Sequence, residues 1–181
     1  NLKIVTLSGS ALPGGLATAW MDRYGENVYN FYGSTEVAMG SIATPEDLRF
    51  DPTTAGRPPY GTSVRIIDDE GTEVPPGNTG RIFIRNEMTF DGYTGGGNKE
   101  NLDGYLSSGD VGHFDSGGRL YIDGRDDEMI ISGGENVYPA EVEDLIAGHE
   151  EVVEAAVLGV EDEKFGQALR AYVVLKNGKV L

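Results

Sequence analysis

The segment that divides this chain into two parts reads Asp123-Gly124-Arg125-Asp126-Asp127-Glu128-Met129-Ile130-Ile131-Ser132-Gly133-Gly134-Glu135-Asn136. It runs from acidic residues through a short apolar strand to a pair of glycines, which predicts a turn. Before it, Gly, Pro and Asp punctuate β-type segments, whereas after it one amphipathic helix is predicted among apolar strands. We therefore predict a domain junction, with a hinge at residues 125–128 and the start of a small α+β domain at residues 129–181.

Two strand-and-loop units precede the junction at the beginning of the chain. Residues 2–7 form a β-type run, and the glycine-rich loop 8–15 then leads into a helix. A second strand at 27–31 leads into a loop at 32–36. Consecutive parallel strands place their following loops at the same edge of an α/β sheet, where such sheets bind ligands. We assign residues 1–54 to the end of the α/β part of a large N-terminal domain.

The pattern changes to β-hairpins in residues 55–124. Alternating apolar segments at 63–67, 80–85 and 119–122 are bounded by turns rich in Asp and Gly, which predicts a small barrel-like β subdomain. The glycine-rich insert 93–99 lacks the spacing of a phosphate-binding loop. We therefore interpret this insert as a mobile loop.

One helix and two strands are predicted after the junction. Pro139 suits the first turn of a helix, and acidic residues follow it where the helix dipole favours them. The predicted apolar face of this helix consists of Val142, Leu145 and Ile146. Residues 152–160 and 168–175 are predicted to be buried strands. The predicted fold is thus an α/β part with a β-barrel-like subdomain, followed by a small α+β domain.

The composition is that of an acidic globular protein. The 181 residues carry a net charge of −16, so nucleic acid and anionic membranes would be repelled and any membrane contact is at most peripheral. The absence of cysteine excludes disulfides, zinc–thiolate sites and a cysteine nucleophile in these residues. His113 and His149 are too far apart in sequence to suggest a metal cluster. No signal peptide or membrane-spanning run is recognisable, and a cytoplasmic location is expected.

Several short motifs, in this order, resemble the adenylate-forming superfamily, and specifically the C-terminal part of AMP-forming acyl-CoA synthetases such as the fatty-acid–CoA ligases. They are Ser8-Gly9-Ser10-Ala11-Leu12-Pro13, Tyr32-Gly33-Ser34-Thr35-Glu36, Ser107-Ser108-Gly109-Asp110, Gly124-Arg125-Asp126-Asp127 and Ser132-Gly133-Gly134-Glu135-Asn136. Each motif alone is weak, but their order over most of the chain makes the resemblance specific. It implies an acid–thiol ligase: a carboxylate, expected to be a fatty acid, attacks Mg²⁺-bound ATP to give an acyl-adenylate, and the thiol of CoA then displaces AMP.

The segment from Tyr32 to Glu36 has side chains suited to a nucleotide. An aromatic ring can stack on a purine, a glycine permits close backbone approach, and a hydroxyl with a carboxylate suits phosphate and Mg²⁺. Without the resemblance, a polar turn at a strand end is the better interpretation. The resemblance implies that Thr35 contacts phosphate and Glu36 binds Mg²⁺ as the catalytic residues, and that Tyr32, Gly33 and Ser34 also contact ATP or AMP.

Asp110 is predicted to lie in a loop after Gly109. A single carboxylate there can accept hydrogen bonds from both hydroxyls of a ribose, although an isolated aspartate is more often a turn residue. The family usually has Thr-Gly-Asp after a tryptophan. Ser108 and Tyr105 keep the hydroxyl and the aromatic ring in this chain. The resemblance implies that Asp110 binds ribose.

The remaining motif residues are assigned through the resemblance alone. Arg125 by itself would pair with nearby acids, whereas the family implies a ribose or phosphate contact. Asp127 corresponds to the hinge about which the C-terminal domain rotates between adenylation and thioester formation. Gly133 and Gly134 would line the path of the CoA pantetheine, or form a plain turn. Backbone contacts on the adenine side are implied for Gly9, Ser10 and Ala11.

The family's phosphate loop is expected before Asn1 and its catalytic lysine after Leu181, so this chain is expected to be a fragment that is inactive alone. Lys179 follows a glycine but lacks the flanking pattern and is not assigned. A peptide-synthetase adenylation domain, a luciferase-like oxygenase and a non-catalytic AMP- or ATP-binding module stay open as alternatives, although residues 132–139 look like the CoA-ligase branch. The sequence leaves open the carboxylic acid, the choice between CoA and a carrier protein as acceptor, and the oligomeric state, a homodimer included.

Overall fold

The computed structural model describes residues 2–176 and divides into two compact units, Asn1–Ile122 and Asp123–Leu181. The helices are α1 (Gly14–Tyr24), α2 (Pro45–Phe50) and α3 (Pro139–Ala147), and a short 3-10 helix spans Asp126–Glu128. The strands are β1 (Val5–Leu7), β2 (Val28–Ser34), β3 (Ala38–Ala43), β4 (Ser63–Ile67), β5 (Gly80–Arg85), β6 (Asn101–Leu102), β7 (Tyr105–Phe114), β8 (Leu120–Arg125), β9 (Ile130–Ser132), β10 (Glu135–Val137), β11 (Val152–Asp162) and β12 (Gly166–Leu175). The predicted α/β and α+β parts are both confirmed, whereas the hinge at 125–128 stays a prediction.

The first sheet of the first unit has the order β1-β2-β3. Strands β1 and β2 are parallel, as predicted, so the segments that follow them lie at one edge of the sheet. Helix α1 covers this sheet by burying Ala17 and Met21 in a cluster with Val28. Strand β3 was not predicted. It pairs antiparallel with β2, and this pairing extends β2 through Ser34, so the start of the predicted loop at 32–36 is in fact strand.

The second sheet contains the hairpins predicted for residues 55–124. Its order is β4-β5-β7-β6, with β8 also paired to β7, and within the described residues it stays open rather than closing into a barrel. Its core is made of aliphatic side chains from alternating strand positions, among them Ile82, Ile84 and Leu120, each fully buried. The insert 93–99 forms a turn in which the backbone N–H of Gly96 donates to the carbonyl of Tyr93 at 3.0 Å.

Helix α2 was not predicted, although its start carries a clear sequence signal. Thr44 caps the helix, Pro45 occupies its first turn, and the Asp47 carboxylate accepts a hydrogen bond from the Thr44 backbone N–H, which is the capping-box arrangement. The Asp47 side chain is only 3% exposed and lies 3.1 Å from Nε of Arg119, and it also pairs with Arg57. Burial by itself raises the pKa of Asp47, but the hydrogen bonds from Thr44 and the two guanidinium groups outweigh it, and the net pKa is lowered. This network around the buried Asp47 joins α2 to the neighbouring sheet.

The second unit is a four-stranded sheet with the order β10-β9-β12-β11, and α3 packs against β11. The predicted strands are present, but the expectation that they are buried is wrong. Val153, Leu158, Tyr172 and Val174 are each more than half exposed, because α3 covers only one face of the sheet. The prediction for Leu145 is also wrong, since this residue is 79% exposed and lies off the packed face of α3.

No helix formed by residues 2–176 has both the length and the apolar character that crossing a membrane requires.

Candidate functional site

Two of the predicted nucleotide residues meet in the first unit. The hydroxyl of Tyr32 on β2 donates to Oδ2 of Asp110 on β7 at 2.6 Å, across 78 positions of sequence. The Tyr32 ring packs against the core of the second sheet, which fixes its position. The structure therefore joins a predicted purine-stacking residue to a predicted ribose-binding residue.

The prediction that Asp110 lies in a loop is wrong, because Asp110 is inside β7. The strand pairing shifts register between the pairs Arg81–Val111 and Phe83–Ser107, which is a β-bulge. Gly109 takes a φ of +86° there, and the buried Ser108 hydroxyl donates to the carbonyl of Ile82 at 3.2 Å. The Ser-Gly-Asp motif thus marks a bulge that redirects Asp110. The sequence pattern alone does not distinguish such a bulge from a loop, because both place a glycine in a turn-like conformation.

The turn between β2 and β3 carries the predicted catalytic residues. Thr35 and Glu36 occupy this turn, and Thr35 is exposed. Gly33 precedes the turn where the two strands approach closely, and a Cβ placed on it would lie 1.9 Å from the carbonyl oxygen of Ala38. Glycine at position 33 is therefore required by the hairpin itself, and its predicted contact with a nucleotide stays a prediction.

Both oxygens of the Glu36 carboxylate accept hydrogen bonds from hydroxyl groups. The Ser34 hydroxyl donates to Oε2 at 2.8 Å, and the Tyr93 hydroxyl donates to Oε1 at 2.8 Å. The hydrogen bond from Ser34, followed by that from Tyr93, lowers the pKa of Glu36 below its ordinary value. Glu36 is therefore an anion at neutral pH.

The donor set around Glu36 fits Mg²⁺. In the part of the chain that the structure describes, no three Asp, Glu, His or Cys side chains cluster to form a complete metal cage. Mg²⁺ does not need one in nucleotide sites, where one or two carboxylates bind it together with substrate phosphates and water. An ionised Glu36 beside the hydroxyls of Ser34 and Thr35 supplies the hard oxygen ligands that this cation takes.

The loop that follows β1 carries Gly9, Ser10 and Ala11, all exposed. Gly9 has a φ of +94°, which favours glycine and turns the chain at this point. Because β1 is parallel to β2, this loop lies at the same edge of the sheet as the end of β2, which carries Tyr32. The implied adenine-side role of these residues stays a prediction.

The other predicted residues lie in the second unit. Nε of Arg125 donates to Oδ1 of Asp127 at 3.1 Å, as the plain ion-pair interpretation predicted. Gly133 and Gly134 form the two-residue hairpin loop between β9 and β10, with φ values of +62° and +91° that fit a type I′ turn. The backbone N–H of Gly133 donates to the carbonyl of Phe165 at 2.9 Å. The hinge role of Asp127 and the CoA roles of both glycines stay predictions, and Lys179 lies outside the described residues.

Sequence reasoning missed Tyr93, which it treated only as the start of a mobile loop. The structure places its hydroxyl on the predicted metal ligand, although 57 positions separate the two residues. The only signal in the sequence is an aromatic residue two positions before a run of three glycines. Such a pattern does not reveal which carboxylate the tyrosine reaches, because that depends on the strand order.

Family models match both parts of the chain. A model described as "AMP-binding enzyme" matches residues 1–94, and one described as "AMP-binding enzyme C-terminal domain" matches residues 141–181. The two matches fall on either side of the junction segment. They occur in the order that the sequence motifs predicted.

Similar proteins match most or all of the chain but are much longer. An indoleacetate–CoA ligase of Aromatoleum aromaticum is 37% identical over 100% of this chain and 36% of its own length. A 2-succinylbenzoate–CoA ligase of Bacillus licheniformis is 41% identical over 81% of this chain and 31% of its own length. The chain thus spans about a third of the length of these curated relatives.

Solved structures match the fold at similar identity. O-succinylbenzoate CoA synthetase (MenE) from Bacillus subtilis, in complex with its acyl-adenylate intermediate, has a TM-score of 0.91 and 32% identity over 98% of this chain and 37% of that chain. The amide bond synthetase McbA from Marinactinospora thermotolerans has a TM-score of 0.88 and 34% identity over 99% of this chain and 38% of that chain.

Proposed function

The chain belongs to the family of AMP-binding enzymes, and from this premise we propose that the whole protein is an ATP-dependent, AMP-forming carboxylate–CoA ligase. The observation that carries the proposal is the hydrogen bond between Tyr32 and Asp110. It unites two motifs that the family resemblance assigns to the same nucleoside. A non-catalytic nucleotide-binding module would need this contact as well, but it would not need an ionised carboxylate in the adjoining turn.

The nucleoside side of the proposed site depends on Tyr32 and Asp110. One oxygen of Asp110 is engaged by the tyrosine hydroxyl, and this contact holds the carboxylate in one orientation. A carboxylate has about four acceptor positions on its two oxygens, so in this proposal the Asp110 carboxylate accepts the ribose hydroxyls in addition to the tyrosine hydroxyl. The Tyr32 ring, anchored on the sheet core, offers an aromatic surface for adenine.

The phosphate side of the proposed site depends on the turn between β2 and β3. Glu36 would hold Mg²⁺ and the exposed hydroxyl of Thr35 would contact a phosphate oxygen. When bound, the cation neutralises charge that develops on the phosphates during attack by the carboxylate. The residues of this chain contribute position and charge, and the reaction requires no side-chain nucleophile.

The substrate class proposed here is an aromatic carboxylic acid. Indoleacetate and 2-succinylbenzoate appear in the names of relatives and both are aromatic, whereas the fatty acid expected from sequence depended on overall likeness and no pocket residue. The proposed acceptor is CoA, in keeping with the ligase relatives. An amine is the competing acceptor, because a structural neighbour is an amide bond synthetase. Cytoplasmic location and homodimer formation stay predictions.

The experiment that tests this function uses the whole protein, meaning the longest natural polypeptide that contains this chain. Exchange of labelled pyrophosphate into ATP would be measured with aryl acids, aryl-acetic acids and fatty acids of graded length. Product formation with CoA and with simple amines then identifies the acceptor. We expect pyrophosphate exchange with an aryl acid and formation of a thioester with CoA. Nucleotide binding without exchange for any acid would favour the non-catalytic module.

Replacing Asp110 with asparagine should weaken AMP binding by the whole protein. Hydrogen bonds to a charged group contribute about 1.5–3 kcal/mol, so the dissociation constant should rise roughly 10- to 100-fold. The measurement is calorimetric titration with AMP. The matched control is Asp69→Asn, which makes the same change at an exposed turn position. Equal affinity of Asp110→Asn and the control would remove Asp110 from the nucleoside site.

A further inference from the structure

One short segment holds Glu36 through both its main chain and its side chain. The backbone N–H of Phe90 donates to the carbonyl oxygen of Glu36 at 2.9 Å. Three residues later, the hydroxyl of Tyr93 donates to Oε1 of the same glutamate at 2.8 Å. Because both the backbone carbonyl and the carboxylate of Glu36 are hydrogen-bonded, this residue loses little further conformational entropy when a ligand binds.

Tyr93 is itself held in place. Its ring packs edge-on against the ring of Phe90, with centroids 4.9 Å apart and planes at 74°, and Phe90 packs onto the buried core of the second sheet. On the other side, the Gly96 N–H donates to the Tyr93 carbonyl and closes a turn. The hydroxyl thus reaches Glu36 from a supported position even though the Tyr93 side chain is 46% exposed.

The two hydroxyl donors leave Glu36 able to bind a cation. Ser34 and Tyr93 each engage a different oxygen of the carboxylate. An ionised carboxylate has about four acceptor positions on its two oxygens, so the two hydroxyl donors do not occupy all of them. Outer groups that hydrogen-bond to a ligating carboxylate orient it, and their loss typically costs 10- to 100-fold in metal affinity.

We propose that Tyr93 is a positioning residue that orients the Glu36 carboxylate toward the Mg²⁺ of bound ATP. This inference depends on the proposed function, because it requires that Glu36 holds the cation. Tyr93 acts through Glu36 and needs no contact with substrate. The segment from Phe90 to Tyr93 therefore serves as the support of the metal ligand.

The test is the variant Tyr93→Phe in the whole protein, which removes one oxygen atom from a half-exposed side chain and keeps the packing on Phe90. ATP binding would be measured at equilibrium over a range of Mg²⁺ concentrations, and AMP binding would be measured without Mg²⁺. We expect the Mg²⁺ concentration for half-maximal enhancement of ATP binding to rise about 10-fold. AMP affinity should not change. The matched control, Tyr60→Phe, deletes a hydroxyl from a fully exposed tyrosine and should change neither quantity.

The variant Glu36→Gln separates failure of this inference from failure of the proposed function. If Glu36→Gln shifts the Mg²⁺ dependence and Tyr93→Phe does not, the positioning role is wrong while the metal site stands. If neither variant shifts it, Glu36 is not the metal ligand, and both proposals fail at this residue. If Tyr93→Phe weakens AMP binding by the same factor as ATP binding, its role is structural only, which overturns the inference.

Discussion

Replacing Glu36 with glutamine in the whole protein should lower the rate of pyrophosphate exchange roughly 100-fold or more, which is the size of effect found when one preorganised electrostatic group is removed from an active site. The substitution keeps the shape of the side chain, and the hydroxyls of Ser34 and Tyr93 remain within hydrogen-bond reach of it. It removes the negative charge whose pKa the Ser34 and Tyr93 hydroxyls keep low. A neutral amide is a poor ligand for Mg²⁺, so charge neutralisation at the phosphates should suffer most.

The control for this result is Glu70→Gln, the same substitution at an exposed turn residue. Its exchange rate should equal that of the wild type. High Mg²⁺ should recover part of the activity of Glu36→Gln, because a weakened site is still filled by mass action. Loss of exchange with unchanged Mg²⁺ dependence would argue against metal binding by Glu36.

The nucleotide motifs could be predicted from sequence because their residue types are those suited to binding a nucleotide and Mg²⁺. Tyr32, Glu36 and Asp110 stand in short patterns that need an aromatic ring, a carboxylate and small neighbours. The contact between Tyr32 and Asp110 could not be predicted, because it depends on how β2 and β7 come together in space. A local sequence pattern indicates the chemistry of a side chain, whereas the distance between two side chains far apart in sequence depends on how the strands pair.

The placement of Asp110 shows why a glycine pattern can mislead. A Ser-Ser-Gly-Asp sequence resembles a turn, yet Gly109 takes its positive φ inside a continuous strand. The bulge opposite Ile82 accommodates that glycine without ending β7. A turn and a bulge require the same backbone freedom, and only the pairing of the partner strand distinguishes them.

Exposure was the least predictable property of the second unit. The apolar pattern of residues 152–160 correctly predicted a strand, but it carried no information on whether both faces would be covered. In the structure β11 and β12 form a long antiparallel pair with α3 packed against β11. Val153 and Leu158 are therefore exposed despite their apolar character. Hydrophobicity predicts the element, and the number of packed layers decides the burial.

Replacing Asp47 with alanine should destabilise the whole protein by about 3 kcal/mol, at the lower end of the cost of breaking a buried ion pair. The side chain is 3% exposed and receives hydrogen bonds from Thr44 and from Arg119, whose own side chain is only 13% exposed. Alanine removes the carboxylate that accepts a hydrogen bond from the Thr44 backbone N–H. The same carboxylate pairs with the guanidinium groups of Arg57 and Arg119, so both lose a partner. Arg119 keeps Asp115 at 3.2 Å, which limits the loss.

Urea unfolding of the whole protein at pH 7 measures this effect, with Asp69→Ala as the control at an exposed turn position. A surface substitution of that kind should stay within about 0.5 kcal/mol of the wild type. An equal midpoint for Asp47→Ala and the control would mean that the network contributes nothing to stability.

The pH dependence of the same variant follows from the direction of the Asp47 pKa. Burial opposes ionisation, but the bonds from Thr44 and the charges of Arg57 and Arg119 prevail, so the folded pKa lies below the unfolded value of about 3.9. A carboxyl of this kind contributes stability above its unfolded pKa, and the contribution is lost as the pH falls through the folded pKa. The difference between wild type and Asp47→Ala should therefore stay constant from neutral pH down to about pH 5 and shrink below about pH 4. A difference that keeps its full size at pH 3 would assign the effect to packing around the start of α2 instead of to the charge of Asp47.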